Sequence, residues 1–286
     1  MGIHRKHLAS TLVLASALIA AGAPVLLPTQ LEAQSQTAPT GIDPKLLSKA
    51  SAGDKVAQWR VALTFEDGEN VPQDFAKAAE WYLKAAEQGY APAQLSIGTL
   101  YERGQGVKQD GAQAAAWYKK AADQGNEMAE ELLGSLYDIG NSGVPQDYAK
   151  AAVWFLKAAE PGHQNSPWPN GLPLAQYMLG EYYEYGGRSL PQDFTLAAKW
   201  YQKAADQGLD SAQIHLSDLY YEGKGVPQSY AEAYFWIDLA VASAMGKDQE
   251  KYAEYRDTVA LKLTTDELNK VQERATKWFA DHPTKP

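Results

Sequence analysis

The side chains of this chain best suited to chemistry are carboxylates and aromatics that return at fixed offsets from a repeated Leu-Gly pair or its near variants. Two residues before that pair stand Trp59, Leu95, Glu131, Tyr177 and Ile214, and just after it Leu63, Thr99, Ser135, Glu181 and Asp218. Beyond the next aromatic come Glu66-Asp67, Glu102-Arg103, Asp138-Ile139, Glu184-Tyr185 and Tyr221-Glu222. These positions hold nine carboxylates against one arginine. Carboxylates attract a lysine or arginine, and the faces of Trp59, Tyr177, Tyr185 and Tyr221 add cation–π contacts. The chemistry expected is therefore recognition of a basic segment. An ordinary solvated acidic face reads the same way.

Catalytic patterns are sparse. There is no Ser-x-x-Lys, no His-Glu-x-x-His and no Gly-x-x-x-x-Gly-Lys-Ser/Thr. His4 and His7 fall in the leader, and His163, His215 and His282 are too widely spaced for a local metal site. A paired-carboxylate hydrolase stays open, because folded distances between Asp and Glu are invisible in a sequence. No enzyme activity, cofactor or metal is expected.

A unit of roughly 36 residues, written five times, must position these groups. Its tryptophans, Trp81, Trp117, Trp154, Trp200 and Trp236, are 36, 37, 46 and 36 residues apart, so one connection carries an insertion. The spacing predicts an all-α, right-handed α-solenoid of five helix-turn-helix repeats, in which each unit covers the apolar face of its neighbour. In the second unit the first helix is expected from about Ala93 to Arg103, ended by Gly104, since glycine suits the positive φ of a C-cap. Asp74, Asp110, Asp147, Asp193 and Ser229 stand where each second helix starts and can cap its free N–H groups. The tryptophans recur at one position of that helix and are read as core, not as stacking platforms.

Residues 43–246 are assigned to the array, opened by a half-repeat near Pro44–Ala50, and residues 247–286 to a C-terminal helical cap. The cap reads as helices at about 248–263 and 265–281, with a capping box from Thr264 to Glu267. The insertion over 161–173 contains four prolines; its Trp168 is either an exposed aromatic open to a partner or folds back to fill a gap.

Residues 1–33 read as an export signal, with basic His4, Arg5, Lys6 and His7 before an apolar run; residues 34–42 read as a flexible lead-in. An exported, periplasmic location is expected, with secretion or anchoring by an uncleaved signal as alternatives. The chain has no cysteine, which excludes a lipobox and any disulfide. Its net charge of −9 becomes −10 once Arg5, Lys6 and Glu32 leave with the signal, which argues against nucleic acid and anionic lipid. The mature chain is expected to be a monomer that does not insert in a membrane.

The combination Ala-x-x-x-Leu-Gly-x-x-Tyr, Gly-x-Gly-Val-x-Gln-Asp and Ala-x-x-Trp-Tyr-x-Lys-Ala-Ala-x-x-Gly, in tandem from about Ala57 to Gly246, resembles the Sel-one-like repeat family, relatives of the tetratricopeptide repeat. Lys108 departs from it in place of proline, Ser217 in place of glycine and Ser229 in place of aspartate. The resemblance implies an exported bacterial member acting as a non-catalytic scaffold or adaptor, with the first helix of each unit lining the concave side. That is where Trp59, Glu66, Glu102, Glu131, Asp138, Tyr177, Glu181, Glu184, Tyr185, Asp218, Tyr221 and Glu222 fall. Some relatives carry β-lactamase-like annotation, so a cell-wall hydrolase is the enzyme alternative; a passive spacer is the third reading.

Overall fold

The computed structural model describes residues 41–140, 143–162, 166–186 and 190–282. The expected signal and all but the last two residues of the lead-in lie outside them, as does His163. Among the described residues there are thirteen helices and no strand. Five repeats pair a first with a second helix: α2 (Lys55–Asp67) with α3 (Phe75–Glu87), α4 (Ala91–Arg103) with α5 (Gly111–Ala122), α6 (Glu127–Ile139) with α7 (Tyr148–Ala159), α8 (Pro173–Tyr185) with α9 (Phe194–Asp206), and α10 (Asp210–Glu222) with α11 (Tyr230–Ser243). Each second helix also packs on the next first helix, which makes the all-α solenoid. The half-repeat α1 (Pro44–Ser51) packs on α2; α12 (Gly246–Ala260) and α13 (Thr265–Asp281) pack on α11.

Helix boundaries follow local chemistry. Asp74, Asp110, Asp147, Asp193 and Ser229 each accept the N–H three residues on, as expected of N-caps. Thr264 and Glu267 form the expected capping box. Helix α4 starts at Ala91, two residues before the expected point, because Pro92 fits the first turn, where its missing N–H costs nothing. Helix α12 runs over 246–260 rather than 248–263, with Met245 as its N-cap residue. Ile42, at the end of the expected lead-in, is buried with Ala50, Ala57 and Val61.

The Leu-Gly glycine has a packing reason. A Cβ on Gly98, Gly134 or Gly180 would stand 2.7, 2.8 or 2.4 Å from the ring of Tyr118, Phe155 or Tyr201, so an aromatic from the second helix lies flat against the first helix's backbone. In the fifth repeat Ile237 occupies the aromatic's sequence position; Ser217 fits there and donates to the Ala233 carbonyl at 2.8 Å.

Polar side chains pin the register. Gln58, Gln94, Gln176 and Gln213 are buried, and each donates its amide to the last turn of the preceding second helix, at Ala50, Ala86, Ala159 and Ala205. Three of them also accept from a glutamine after their own second helix: Gln88 to Gln58, Gln124 to Gln94 and Gln207 to Gln176. These bonds tie together three successive helices without using the aromatic core.

The repeat tryptophans are structural. Trp117 and Trp236 are buried, and Trp81, Trp154 and Trp200 half-buried against core clusters. One turn on, Lys84, Lys120, Lys157 and Lys203 place their ammonium groups 3.7 to 4.2 Å from the ring centres of Trp81, Trp117, Trp154 and Trp200.

Candidate functional site

At two junctions of the array a first helix touches the next first helix. Trp59 Nε1 donates to Ser96 Oγ at 3.4 Å between α2 and α4, and Tyr177 Oη lies 3.3 Å from His215 Nε2 between α8 and α10. The expected site residues other than Trp168 all lie on the first helices. Trp168 stands apart: it is half-buried on the α7–α8 core, so the insertion folds back and Trp168 is not the exposed aromatic that was one of its two expected fates.

Much of the acidity of the row is already engaged. Glu66 accepts the hydroxyl of Tyr82, Glu102 that of Tyr118 at 2.6 Å, and Glu184 that of Tyr201 at 2.6 Å. In the third repeat Phe155 has no hydroxyl, and Asp138 instead accepts from Tyr182 of the next repeat. Burial first, then the adjoining carboxylate, pushes the phenols of Tyr82, Tyr118 and Tyr201 well above their ordinary value, so they remain donors. Glu131 is 6 % exposed; burial, reinforced by the charge of Glu102 and opposed by a 2.8 Å bond from Ser135, pushes its carboxyl up to about 7. The four tyrosine-bound carboxylates therefore stabilise the row as well as charge it, whereas burial disfavours the charge of Glu131.

Repeats four and five gather the rest. Glu184 accepts from Tyr201 and lies 2.9 Å from His215 Nδ1; burial raises its carboxyl, but the His215 and Tyr201 bonds outweigh that and hold it below the usual value. A carboxylate only accepts, so Nδ1 carries hydrogen. Glu181 sits beside the buried Tyr177 hydroxyl, and Asp218 beside that of Tyr255 on α12. Tyr221 makes edge contacts with Tyr230 and Tyr255 at 5.4 and 6.1 Å. Tyr185 is exposed, and Glu222 pairs with Lys224 at 2.6 Å at the surface. At the other end Trp59 packs edge-on against Tyr90 at 5.8 Å.

His215, Tyr201, Tyr255 and Ser96 contact this site and were not assigned to it from sequence. The tyrosine partners had a signal: Tyr82 and Tyr118 each follow their glutamate by sixteen residues. His215 had none, since it replaces residues as unlike as Ser96, Leu132 and Met178 at the matching position.

Glu184, His215 and Tyr177 line up as carboxylate, imidazole and hydroxyl, the order of a nucleophilic relay. The chemistry runs the other way: burial and the neighbouring Glu181 push the Tyr177 phenol up, where an activated nucleophile needs its proton removed easily. Among the described residues no group of three or more acidic or histidine side chains could hold a metal ion, and no helix is long and apolar enough to cross a membrane.

The Sel1 repeat model matches residues 55–90, 91–126, 128–163, 173–209 and 210–243, one match per helix pair. The chain belongs to the Sel1 repeat family. Residues 164–172, left between the third and fourth matches, fall in the insertion. A Sel1 repeat protein from Oxalobacter formigenes is 30% identical, with a TM-score of 0.62 over 71% of this chain and 79% of that one. A protective antigen of uropathogenic Escherichia coli displaying an SLR fold is 29% identical, with a TM-score of 0.50 over 82% of this chain and 55% of that one. Among curated proteins nothing matches. Sel1 repeats generally serve as protein-interaction scaffolds, and the family is typically non-enzymatic.

Proposed function

We propose that this Sel1 repeat protein is a non-catalytic, monomeric scaffold of the bacterial envelope that holds a basic segment of a partner protein on its first-helix face. The observation that carries the reading is the convergence of Glu181, Glu184, Asp218, Tyr177 and Tyr221 of repeats four and five with Tyr255 of α12. Carboxylates beside aromatic walls favour a lysine or arginine over an anion or neutral group. The envelope location rests on the basic and apolar leader at residues 4–27.

In repeats one to three, Glu66 and Glu102 each accept a tyrosine of their own repeat and Asp138 one of the next, which favours a spacer role for that half. An affinity pull-down from envelope extract at low and high salt tests the scaffold reading. One basic protein, recovered at low salt and lost at high salt, supports it; no protein above control sinks it in favour of the spacer.

A further inference from the structure

The repeat tryptophan of the fifth unit differs from the other four. Where Lys84, Lys120, Lys157 and Lys203 cover the rings of the first four, the fifth unit has Leu239, and Trp236 is buried in a cluster that α13 completes. Trp236 is 2% exposed and its indole Nε1 has no hydrogen-bond partner. A buried indole N–H ordinarily finds an acceptor, because an unmet donor loses its hydration for nothing in return. Trp236 also lines a cavity of about 450 Å³ between α9, α10, α11 and α13, within the size range of small-molecule sites. No residue lining this cavity is among the candidate partner-binding residues.

The lining sets the class of ligand. Tyr220, Phe235 and Trp278 add ring surface to that of Trp236. Formal charges around it are matched within the protein. Arg274 donates to Glu232 at 2.5 Å, with its guanidinium carbon 3.8 Å from the centre of the Phe235 ring. Lys277 and Asp281 stand one turn apart on α13. Asp206 accepts from Gln202 at 2.7 Å, with Arg274 and His282 close enough to favour its charge. An anion meets three carboxylates here, and a cation meets Arg274 and Lys277. Ring surface beside donors and acceptors of both kinds suits a neutral molecule with an apolar face and hydroxyls at its edge.

We propose that this cavity binds a neutral saccharide of one or two units, an oxygen of which accepts the Trp236 indole N–H while a sugar ring lies against the aromatic wall. Nε1 is covered, so the sugar reaches it through a small outward shift of α13, which packs mainly on α11. Lys277, exposed on α13, donates to the sugar's hydroxyl oxygens. The site is independent of the basic-segment reading, and either stands without the other.

The test is nuclear magnetic resonance on the isotope-labelled full chain, titrated with two neutral disaccharides, cellobiose and N,N′-diacetylchitobiose, and with deacetylated chitobiose as a cationic control of the same skeleton. Loss of one indole signal in Trp236→Phe identifies that of Trp236; Lys277→Ala alters an exposed side chain, and circular dichroism verifies that both variants fold. A saccharide site predicts a saturable shift of the Trp236 indole signal with at least one neutral disaccharide. It also predicts affinity about tenfold lower for the cationic sugar and about tenfold lower in each variant, read from the backbone amides of α13. No movement of the Trp236 signal with either neutral sugar overturns the site and leaves the indole N–H to a buried water. A shift that the cationic sugar matches, and that Lys277→Ala leaves at full affinity, overturns it too.

Discussion

Glu102 accepts the hydroxyl of Tyr118 at 2.6 Å, joining the end of α4 to a ring that lies against Gly98 in the middle of the same helix. The glycine lets the ring in, and the carboxylate then satisfies a hydroxyl that burial would otherwise leave without its charged acceptor. Tyr118→Phe keeps the ring and removes the bond, so urea denaturation should show a loss of about 1 kcal/mol. An unchanged midpoint and slope would mean that the bond adds nothing to stability.

Gly180 has the closest approach of this kind, with an added Cβ 2.4 Å from the Tyr201 ring. Gly180→Ala should cost about 2 kcal/mol by overpacking, despite the better helix propensity of alanine. Thermal unfolding checks the sign: a raised Tm would show that the ring has room to move.

The glutamine ladder should behave as coupled units. Gln94 is buried, donates to the Ala86 carbonyl at 3.1 Å and accepts from Gln124 at 2.7 Å. Gln94→Leu strands both partners, with an expected cost of about 2 kcal/mol. The double variant with Gln124→Leu should cost less than the sum of the two single changes, because they share one bond. Strict additivity in a double-mutant cycle would remove the ladder from the account of register.

Glu131 makes stability depend on pH. Its carboxyl is raised from 4.5 to about 7 in the folded chain, so the folded state holds a proton that the unfolded state has already released across that window. Its contribution to stability is therefore full below about 4.5, falls as pH rises toward 7 and is flat above, a span of about 3 kcal/mol. Glu131→Gln should be more stable than the parent at pH 8 by a similar amount, and the difference should shrink toward pH 4. Denaturation midpoints of both chains across that range decide it; parallel profiles would contradict a buried, proton-holding Glu131.

The repeats, caps and closing helices were legible because each depends on local sequence: Asp74 caps three residues on, Gly104 ends the helix it follows, and Thr264 finds Glu267 within one turn. The placement of the candidate residues on the first helices was legible too. What sequence could not give was the engagement of its members. Asp138 turns to Tyr182 because Phe155 lacks a hydroxyl, a choice set by how two repeats stack. His215 enters the site only because α10 lies beside α8, and Trp168 lies on the core only because the insertion folds back. Counting nine carboxylates as groove charge overlooked the tyrosine hydroxyls beside six of them.

The central claim is that the carboxylates of repeats four and five hold a basic partner. Isothermal titration of a short Lys/Arg-rich synthetic peptide into the parent chain and into the Glu181→Lys, Asp218→Lys double variant, at low and high salt, tests it most directly. The account predicts salt-sensitive binding to the parent and at least tenfold weaker binding to the variant, about 1.4 kcal/mol or more. Equal affinity for parent and variant, with both folded, would contradict it.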